Sequence, residues 1–486
     1  LLPKLKVQEH KALCHAFLAE GYNRYWDNNE YLLQRNRPTD DPNPPIDRWT
    51  LKMLVDTICY HLDQSIDLAG DVAAGYYEDF FPGGNKAGLK LRPNLADMLM
   101  DNAVKDLSPS DRLTKSKRAF LDDPRLYGSA RDFIAATTSL ELDKDPDFWS
   151  LYVLRRLTLH NVLSKPSIRT TIDLRRMDIM SDVLVYNYNG WNENCDNFIQ
   201  GCLDLAQEYE KKVKFSTLFY SLAASFIDHH MADFEDEDLD KQVNMRRMEH
   251  DICMRAQKKW PKSEGAIECL KLLAQMEKKS VRLERNGDLA AGEHNIAMLA
   301  YNNIKSAYFK VVEVTSVIKG KPNDYIVADL NAITPVVEWS MSLTGSNDWL
   351  GHYALVDIPP VIQGNYYLMA STGPYFSSSD QVSFQYVECN NIGLAHMIGN
   401  DGSLSGYSVN LKTGKPMSCR YTVWTTNYEG DLQKIVTQGF TADDGFLSLE
   451  RLAQGRYRVE LEQGENKGNA TTRSEERRVG KECRSR

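Results

Sequence analysis

The groups in this 486-residue chain that could bind a metal, exchange electrons or attack a carbonyl are nine cysteines, ten histidines and 67 carboxylates. Spacing decides what they can do. Cys14, Cys59, Cys195, Cys202, Cys253, Cys269, Cys389 and Cys419 are scattered, and Cys483 falls in an anomalous tail. No Cys-x-x-Cys occurs, so neither a zinc site nor a redox pair is indicated. Buried free thiols are expected, because cysteine packs as a small hydrophobe. An exported chain could pair some of them, but spacing does not give the connectivity.

His229 and His230 are adjacent, so on a helix they point about 100° apart and do not easily share a metal. The acidic run Asp233-Phe-Glu-Asp-Glu-Asp-Leu-Asp240 invites a calcium reading, since hard cations take several carboxylate oxygens. The glycine and terminal glutamate of a calcium-binding helical loop are out of register, so a solvated loop is expected. There is no Gly-x-Ser-x-Gly elbow, no His-Glu-x-x-His pair and no phosphate-cradling glycine loop. Gly399-Asn-Asp-Gly402 is turn chemistry. A paired-acid mechanism is a statement about separation in space, and abundant carboxylates do not supply it. No catalytic, cofactor-binding or metal-ligating residue is therefore assigned, and the chain is expected not to be an enzyme.

The elements that would have to position any site come in two kinds. To about residue 300 the pattern is helical. Leu51, Val55, Ile58, Leu62 and Ile66 share one helix face, as do Phe215, Leu218, Phe219, Leu222 and Phe226. Ile267, Leu270, Leu273 and Met276 form a third stripe after Trp260-Pro261, where proline is tolerated at a helix start. Arg37-Pro-Thr-Asp-Asp-Pro-Asn-Pro-Pro45 and Phe81-Pro-Gly-Gly84 break the helices. Helices that each need a neighbour predict a bundle or a solenoid of degenerate repeats. Its use would be a scaffold or docking surface.

Near Asn302 the period changes, which places the domain boundary there. Tyr308, Lys310, Val312 and Val314 alternate with Phe309, Val311 and Glu313 in a β-branched run. Val337–Leu343, Tyr353–Ile358, Gly364–Ala370 and Val382–Val387 follow as short strands, divided by Pro359-Pro360 and Ser377-Ser-Ser-Asp380. Further on, Tyr407, Val409 and Leu411 alternate with Ser408 and Asn410 in a half-buried strand. Thr413-Gly-Lys-Pro416 turns the chain, Cys419-Arg-Tyr-Thr-Val-Trp424 restarts the alternation, and Asp443-Asp-Gly445 is a second turn. The expected class is α plus β, multidomain: helices over residues 1–300, one antiparallel β-sandwich over 301–391 and a second, incomplete one over 392–472.

Composition limits the partners. Hydrophobic residues make up 42% and aromatics 10%, including 24 tyrosines, which fits folded material. The formal net charge of −9 disfavours nucleic acid, because neutralising phosphates takes clustered Lys and Arg. No apolar run approaches the roughly 20 residues that span a bilayer. The chain opens on Leu1 and its first methionine is Met53, so a fragment is expected, with any secretory signal lying upstream. Residues 473–486 lack an apolar period and reverse the charge balance, like a translated sequencing adapter.

The ordered motifs resemble the amino-terminal part of large bacterial alpha-2-macroglobulin proteins, along nearly all of residues 1–472. Tyr22-Asn-Arg-Tyr-Trp-Asp-Asn-Asn-Glu30, Ile46-Asp-Arg-Trp49 and Leu91-Arg-Pro-Asn-Leu95 are similar to signatures of a helical region. Trp260-Pro-Lys-Ser-Glu-Gly265 and Tyr301-Asn-Asn-Ile-Lys-Ser-Ala-Tyr-Phe309 resemble its exit into a macroglobulin-like domain. Gly364-Asn-Tyr-Tyr-Leu368 resembles that domain's closing strand; Thr413–Pro416 and Thr441-Ala-Asp-Asp-Gly445 resemble the next domain. The resemblance implies an exported protease trap, cut by its target in a bait region and often armed with a thioester. No Cys-x-Glu-Gln and no bait segment occur here, so no functional residue carries over. It further implies that the partners are later domains of a longer protein and, through them, proteases. Its location would be the periplasm or cell envelope, with the helical part positioning the assembly. The alternative is an envelope module that binds protein or glycan through exposed aromatics on a helical scaffold.

Overall fold

The computed structural model describes residues 2–39, 41, 43–80, 86–106, 115–138, 142, 146–188, 190–231, 238–285, 287–314, 323–344, 348–399, 402–428, 430–450 and 452–474. The chain divides into two compact units, Leu1–Met276 and Glu277–Arg486. Helices fill the first and antiparallel sheets dominate the second, the α plus β class. Among the described residues, no helix is long and apolar enough to cross a membrane.

The first unit contains α1 (Gln8–Arg35), α2 (Leu51–Ala69), α3 (Lys86–Leu91), α4 (Leu95–Asp106), α5 (Lys115–Arg118), α6 (Ala130–Thr138) and α7 (Trp149–His160). After these come α8 (Pro166–Asn187), α9 (Glu193–Tyr209), α10 (Thr217–His230), α11 (Leu239–Lys259) and α12 (Glu264–Met276). Local chemistry sets several ends. Thr50 caps α2 by accepting from the Met53 amide, and Gly70, at φ +58°, ends it in a conformation that side chains avoid. Pro166 opens α8, where its missing N–H costs nothing. Asn192 caps α9 through the Asn194 amide.

α1 and α2 pair antiparallel: His15 meets His61, and Tyr22 stacks on both Trp49 and His61. In α2, Leu54, Ile58, Leu62 and Ile66 are buried, close to the stripe its spacing predicts. α12 differs from its predicted stripe. Ile267 and Leu270 are exposed, and Gly265, Ala266, Cys269, Leu273 and Met276 face the core. The reason is close approach: a Cβ on Gly265 would lie 2.3 Å from the Thr217 backbone, so small residues define the contact with α10. α12 also starts at Glu264, three residues past Pro261, over the turn that Ser263 closes on the Trp260 carbonyl.

At the centre of this unit Arg176 on α8 is wholly buried. It donates to the carbonyls of Leu126 and Gly128, both at 2.7 Å, and to Asp173 Oδ1 at 3.1 Å. Tyr209 of α9 donates to the other Asp173 oxygen at 2.8 Å. One guanidinium thus ties the segment before α6 to α8 and, through Asp173, to α9.

The helix-to-strand switch falls at residues 277–280 rather than near Asn302, so residues 280–300 belong to the second unit. The strands are β1 (Ser280–Glu284), β2 (Leu289–Ala290), β3 (Asn295–Asn302), β4 (Ser306–Glu313), β5 (Val337–Ser342), β6 (His352–Ile358), β7 (Gly364–Ser371) and β8 (Val382–Asn390). β3 alternates cleanly between buried and exposed residues, but Ala297, Met298, Leu299 and Ala300 are good helix formers. Pairing with β1 on one side and β6 on the other overrides that propensity.

These strands form a sandwich of sheets β1-β3-β6 and β2-β8-β7-β4-β5. Their pairings are antiparallel apart from the short parallel β2–β8 pair. Leu299, Phe309, Val311, Leu368 and Ala370 fill the core. A further helix, α13 (Asn323–Asn331), covers the other face of the larger sheet, where Leu330 joins Val312, Met369 and Phe376.

A second pair of sheets starts at Ile392: β9 (Ile392–Ile398), β10 (Leu404–Asn410) and β13 (Phe446–Leu449) against β11 (Arg420–Thr426), β12 (Leu432–Phe440), β14 (Gly455–Gln463) and β15 (Asn466–Ser474). Gly414 and Gly445, at φ +68° and +82°, make the two predicted turns. β10 presents the opposite face to the one its alternation suggests. Tyr407 is exposed, while Ser408 is buried and donates to the Met417 and Gly445 carbonyls. The neighbouring inward position, Gly406, would bring a Cβ within 2.4 Å of the Ala395 carbonyl, so this face has no room for Tyr407.

Candidate functional site

The most elaborate polar cluster of the second unit lies where the two sandwiches meet. β8 ends at Asn390 and β9 begins at Ile392, leaving Asn391 as the only residue between them. Its amide donates to the Lys467 carbonyl, its carbonyl accepts from the Leu411 amide, both at 3.0 Å, and its side chain donates to Gln363 Oε1 at 2.9 Å. β15 crosses so closely that a Cβ on Gly468 would fall 1.8 Å from the Ile392 carbonyl. Only glycine allows that crossing.

Glu388, near the end of β8, sits almost fully buried at the centre. It accepts from the Tyr386 hydroxyl at 3.1 Å, from Arg458 of β14 at 2.9 Å and from the Asn469 amide of β15. Trp424 of β11 extends the cluster by donating to Glu460 at 2.8 Å. On the first sandwich's side Asn390 donates to Asp288 at 2.6 Å, and Arg285 donates to the Asp288 carbonyl at 2.7 Å. Burial pushes the Asp288 carboxyl up, opposed by the Asn390 hydrogen bond, and lowers the Arg285 guanidinium. Burial and the adjacent Glu388 carboxylate raise the Tyr386 phenol. Lys412 and Glu293 form a more exposed ion pair at 2.5 Å. The groups face one another, and the charged ones are engaged in hydrogen bonds or ion pairs within the cluster. What the arrangement can do is hold two sandwiches in one orientation.

The helical unit has an open groove of about 560 Å³, lined among others by Arg92, Asp101, Thr171, Leu174, Leu218 and Leu222. Arg92 is already engaged there, with Thr171 Oγ1 at 2.9 Å and Asp101 at 3.2 Å. Nearby, His160 ends α7 with Nδ1 2.8 Å from Asp97 and Nε2 3.0 Å from Asp71, and Asn161 donates to the same Asp97 oxygen. The Asp97 hydrogen bond raises the imidazole pKa, which suits a cation at a helix C-terminus. This is a histidine held by acids, and Ser164, the adjacent hydroxyl, donates to Asn161 rather than to His160.

The residues that the sequence singles out do not converge. His230 is buried with Nδ1 at 2.9 Å from the Phe226 carbonyl, while His229 is exposed. Residues 233–237 of the acidic run and residues 81–85, 400–401 and 475–486 lie outside the described residues. No group of three or more His, Cys, Asp or Glu able to hold a metal occurs among the described residues. The eight described cysteines are all free thiols. The joint residues Glu388, Arg458, Asn469 and Asn391 carry no motif. Their one sequence signal is a glutamate set between Val387 and Cys389 near the end of a strand.

No family model matches the sequence, and no curated protein matches it. Among solved structures, a fragment of native alpha-2-macroglobulin from Escherichia coli aligns at a TM-score of 0.30 and 14% identity, over 40% of this chain. A Salmonella alpha-2-macroglobulin mutant aligns at 0.26 and 14%, also over 40%. A two-domain fibronectin type III segment of chicken tenascin aligns at 0.16 and 8%. The chain spans 64% of the E. coli fragment and 12% of the Salmonella chain. Likeness at these scores carries no argument about this chain's activity.

Proposed function

We propose that the chain is a framework portion of an exported, bacterial alpha-2-macroglobulin-like protease trap. The observation that carries this reading is the joint: two sandwiches separated by Asn391 alone and bridged by Glu388, Arg458 and Asn469. A trap that collapses around its target needs segments that transmit movement without bending, and a buried charge network with a one-residue connection provides one. The ordered motifs from Tyr22 to Gly445 support the family. In this reading the chain does no catalysis and binds no cofactor; its partners are other domains of a longer protein and, through them, proteases, in the periplasm or at the cell envelope.

The test is to incubate the longer protein with a protease and follow cleavage of a large and a small substrate. Retained small-substrate turnover with lost large-substrate turnover, accompanied by a cut in the trap, supports the reading. Unimpeded large-substrate turnover without a cut removes it.

A second reading, a binding module for another protein, draws on one feature. Ile296, Met298, Tyr353 and Leu355 lie exposed side by side on the outer face of sheet β1-β3-β6, with Met298 opposite Leu355. An apolar patch on a sheet face is a common contact surface. Binding of a partner that is lost on Leu355→Asp, with protease inhibition absent, would put this reading first.

A further inference from the structure

α11 and α12 form a hairpin about the turn at residues 260–263, and one contact sets its register. The Gln257 side chain of α11 donates to the Ala266 carbonyl of α12. Moving one helical turn away from the loop, Cys253 stands four residues before Gln257 and Cys269 three residues after Ala266. Residues three or four apart share a helix face, so the two thiols look at one another across the hairpin. Both are fully buried in the same helical core. Cys195 and Cys202 make a useful contrast: seven residues apart on α9, they are separated by about 10 Å of helix rise, beyond the reach of a disulfide.

We propose that Cys253 and Cys269 are a disulfide pair that, on oxidation, staples the α11–α12 hairpin. The co-reactant is an external disulfide such as oxidised glutathione, as an oxidising compartment supplies. The Cys253 thiolate attacks it, forming a mixed disulfide and releasing one thiol. Cys269 then gives up its proton and attacks the Cys253 sulfur, expelling the second thiol. The two cysteines lose two electrons and two protons, and the external disulfide gains them. Within the folded, reduced unit both sulfurs are covered. The neighbouring Cys269 thiol and burial also hold the Cys253 proton well above the usual thiol range, so little thiolate is present to react. Closure therefore belongs to folding, or to moments when the hairpin opens.

The test is to refold the full chain from denaturant in buffer containing either oxidised or reduced glutathione, block free thiols, digest and map the peptides by mass. The expected result in the oxidised sample is a linked pair of peptides carrying Cys253 and Cys269, two hydrogens lighter than the reduced pair. The Tm should also lie several degrees above that of the reduced sample. In Cys253→Ala/Cys269→Ala this redox dependence of Tm should vanish. Blocked, unlinked Cys253 and Cys269 after oxidative refolding would overturn the proposal, as would either of them linked to another cysteine. The wild-type peptide map decides this even where the double variant folds poorly.

Discussion

Glu388 is the residue on which the sandwich joint depends, because three donors from two sheets converge on its carboxylate. Glu388→Ala leaves Arg458 and Asn469 facing a void, and a buried donor without its partner costs about 1–3 kcal/mol. Chemical denaturation of the second unit should register a loss of about that size, whereas Lys412→Ala, which breaks an exposed pair, should change stability little.

Glu249 on α11 gives the pH dependence its direction. It is buried beside Arg246, at 2.7 Å, and burial pushes its carboxyl up to about 7 from an unfolded value near 4.5. A raised folded pKa means the folded state holds the proton more tightly. The associated stability is present below about pH 4.5 and is lost as the pH rises through about 7. His160 has the same sign at higher pH: its raised imidazole pKa gives stability that is full below 6.5 and falls as the pH climbs through the raised value. Stability measured from pH 4.5 to 8 should therefore fall on both accounts. Glu249→Gln should flatten the acidic side of that fall, and His160→Gln the part above 6.5. An unchanged slope in Glu249→Gln would show that another group controls the acidic window.

Among elements, the positions that decide packing are small or buried polar residues rather than the large apolar ones. Gly265 allows α12 to press on the Thr217 backbone. Gly265→Ala should lower the Tm by an amount equivalent to about 1–3 kcal/mol of overpacking, while Leu270→Ala, at an exposed position, should change it little. Arg176 plays the opposite part, since it fills space and charge together. Arg176→Met leaves Asp173 buried without its cation, and an uncompensated buried charge costs about 3–5 kcal/mol. Restoring neutrality with Asp173→Asn in the same chain should recover part of the loss.

For the second unit as a whole, the one-residue connection makes a geometric prediction. Inserting a short Gly-Ser segment after Asn391 should leave each sandwich folded but uncouple their orientation. Small-angle scattering would then report a broader distribution of interdomain distances than in the parent, because flexible linkers sample many spans. A scattering profile identical to the parent's would mean that the Glu388 cluster alone holds the pair.

The sequence by itself determined the order of classes, helices and then sandwiches, because amphipathic period and turn chemistry are local properties. The β4 alternation, the short strands from Val337 to Val387 and the glycine turns at Gly414 and Gly445 were legible for that reason. Only the tertiary structure decided where the helices stop, because β3 is composed of helix formers and becomes a strand through its neighbours β1 and β6. It also decided which face of β10 and of α12 turns inward. A close backbone crossing admits Gly406, Ser408, Gly265 and Cys269, and excludes the larger Tyr407 and Ile267 whose spacing suggested burial. The joint and the Cys253–Cys269 pair were unreadable for a related reason. Their partners lie on different strands or helices, 81 residues apart in the chain for Glu388 and Asn469 and 102 for Asn390 and Asp288, and contacts at that separation exist only after folding.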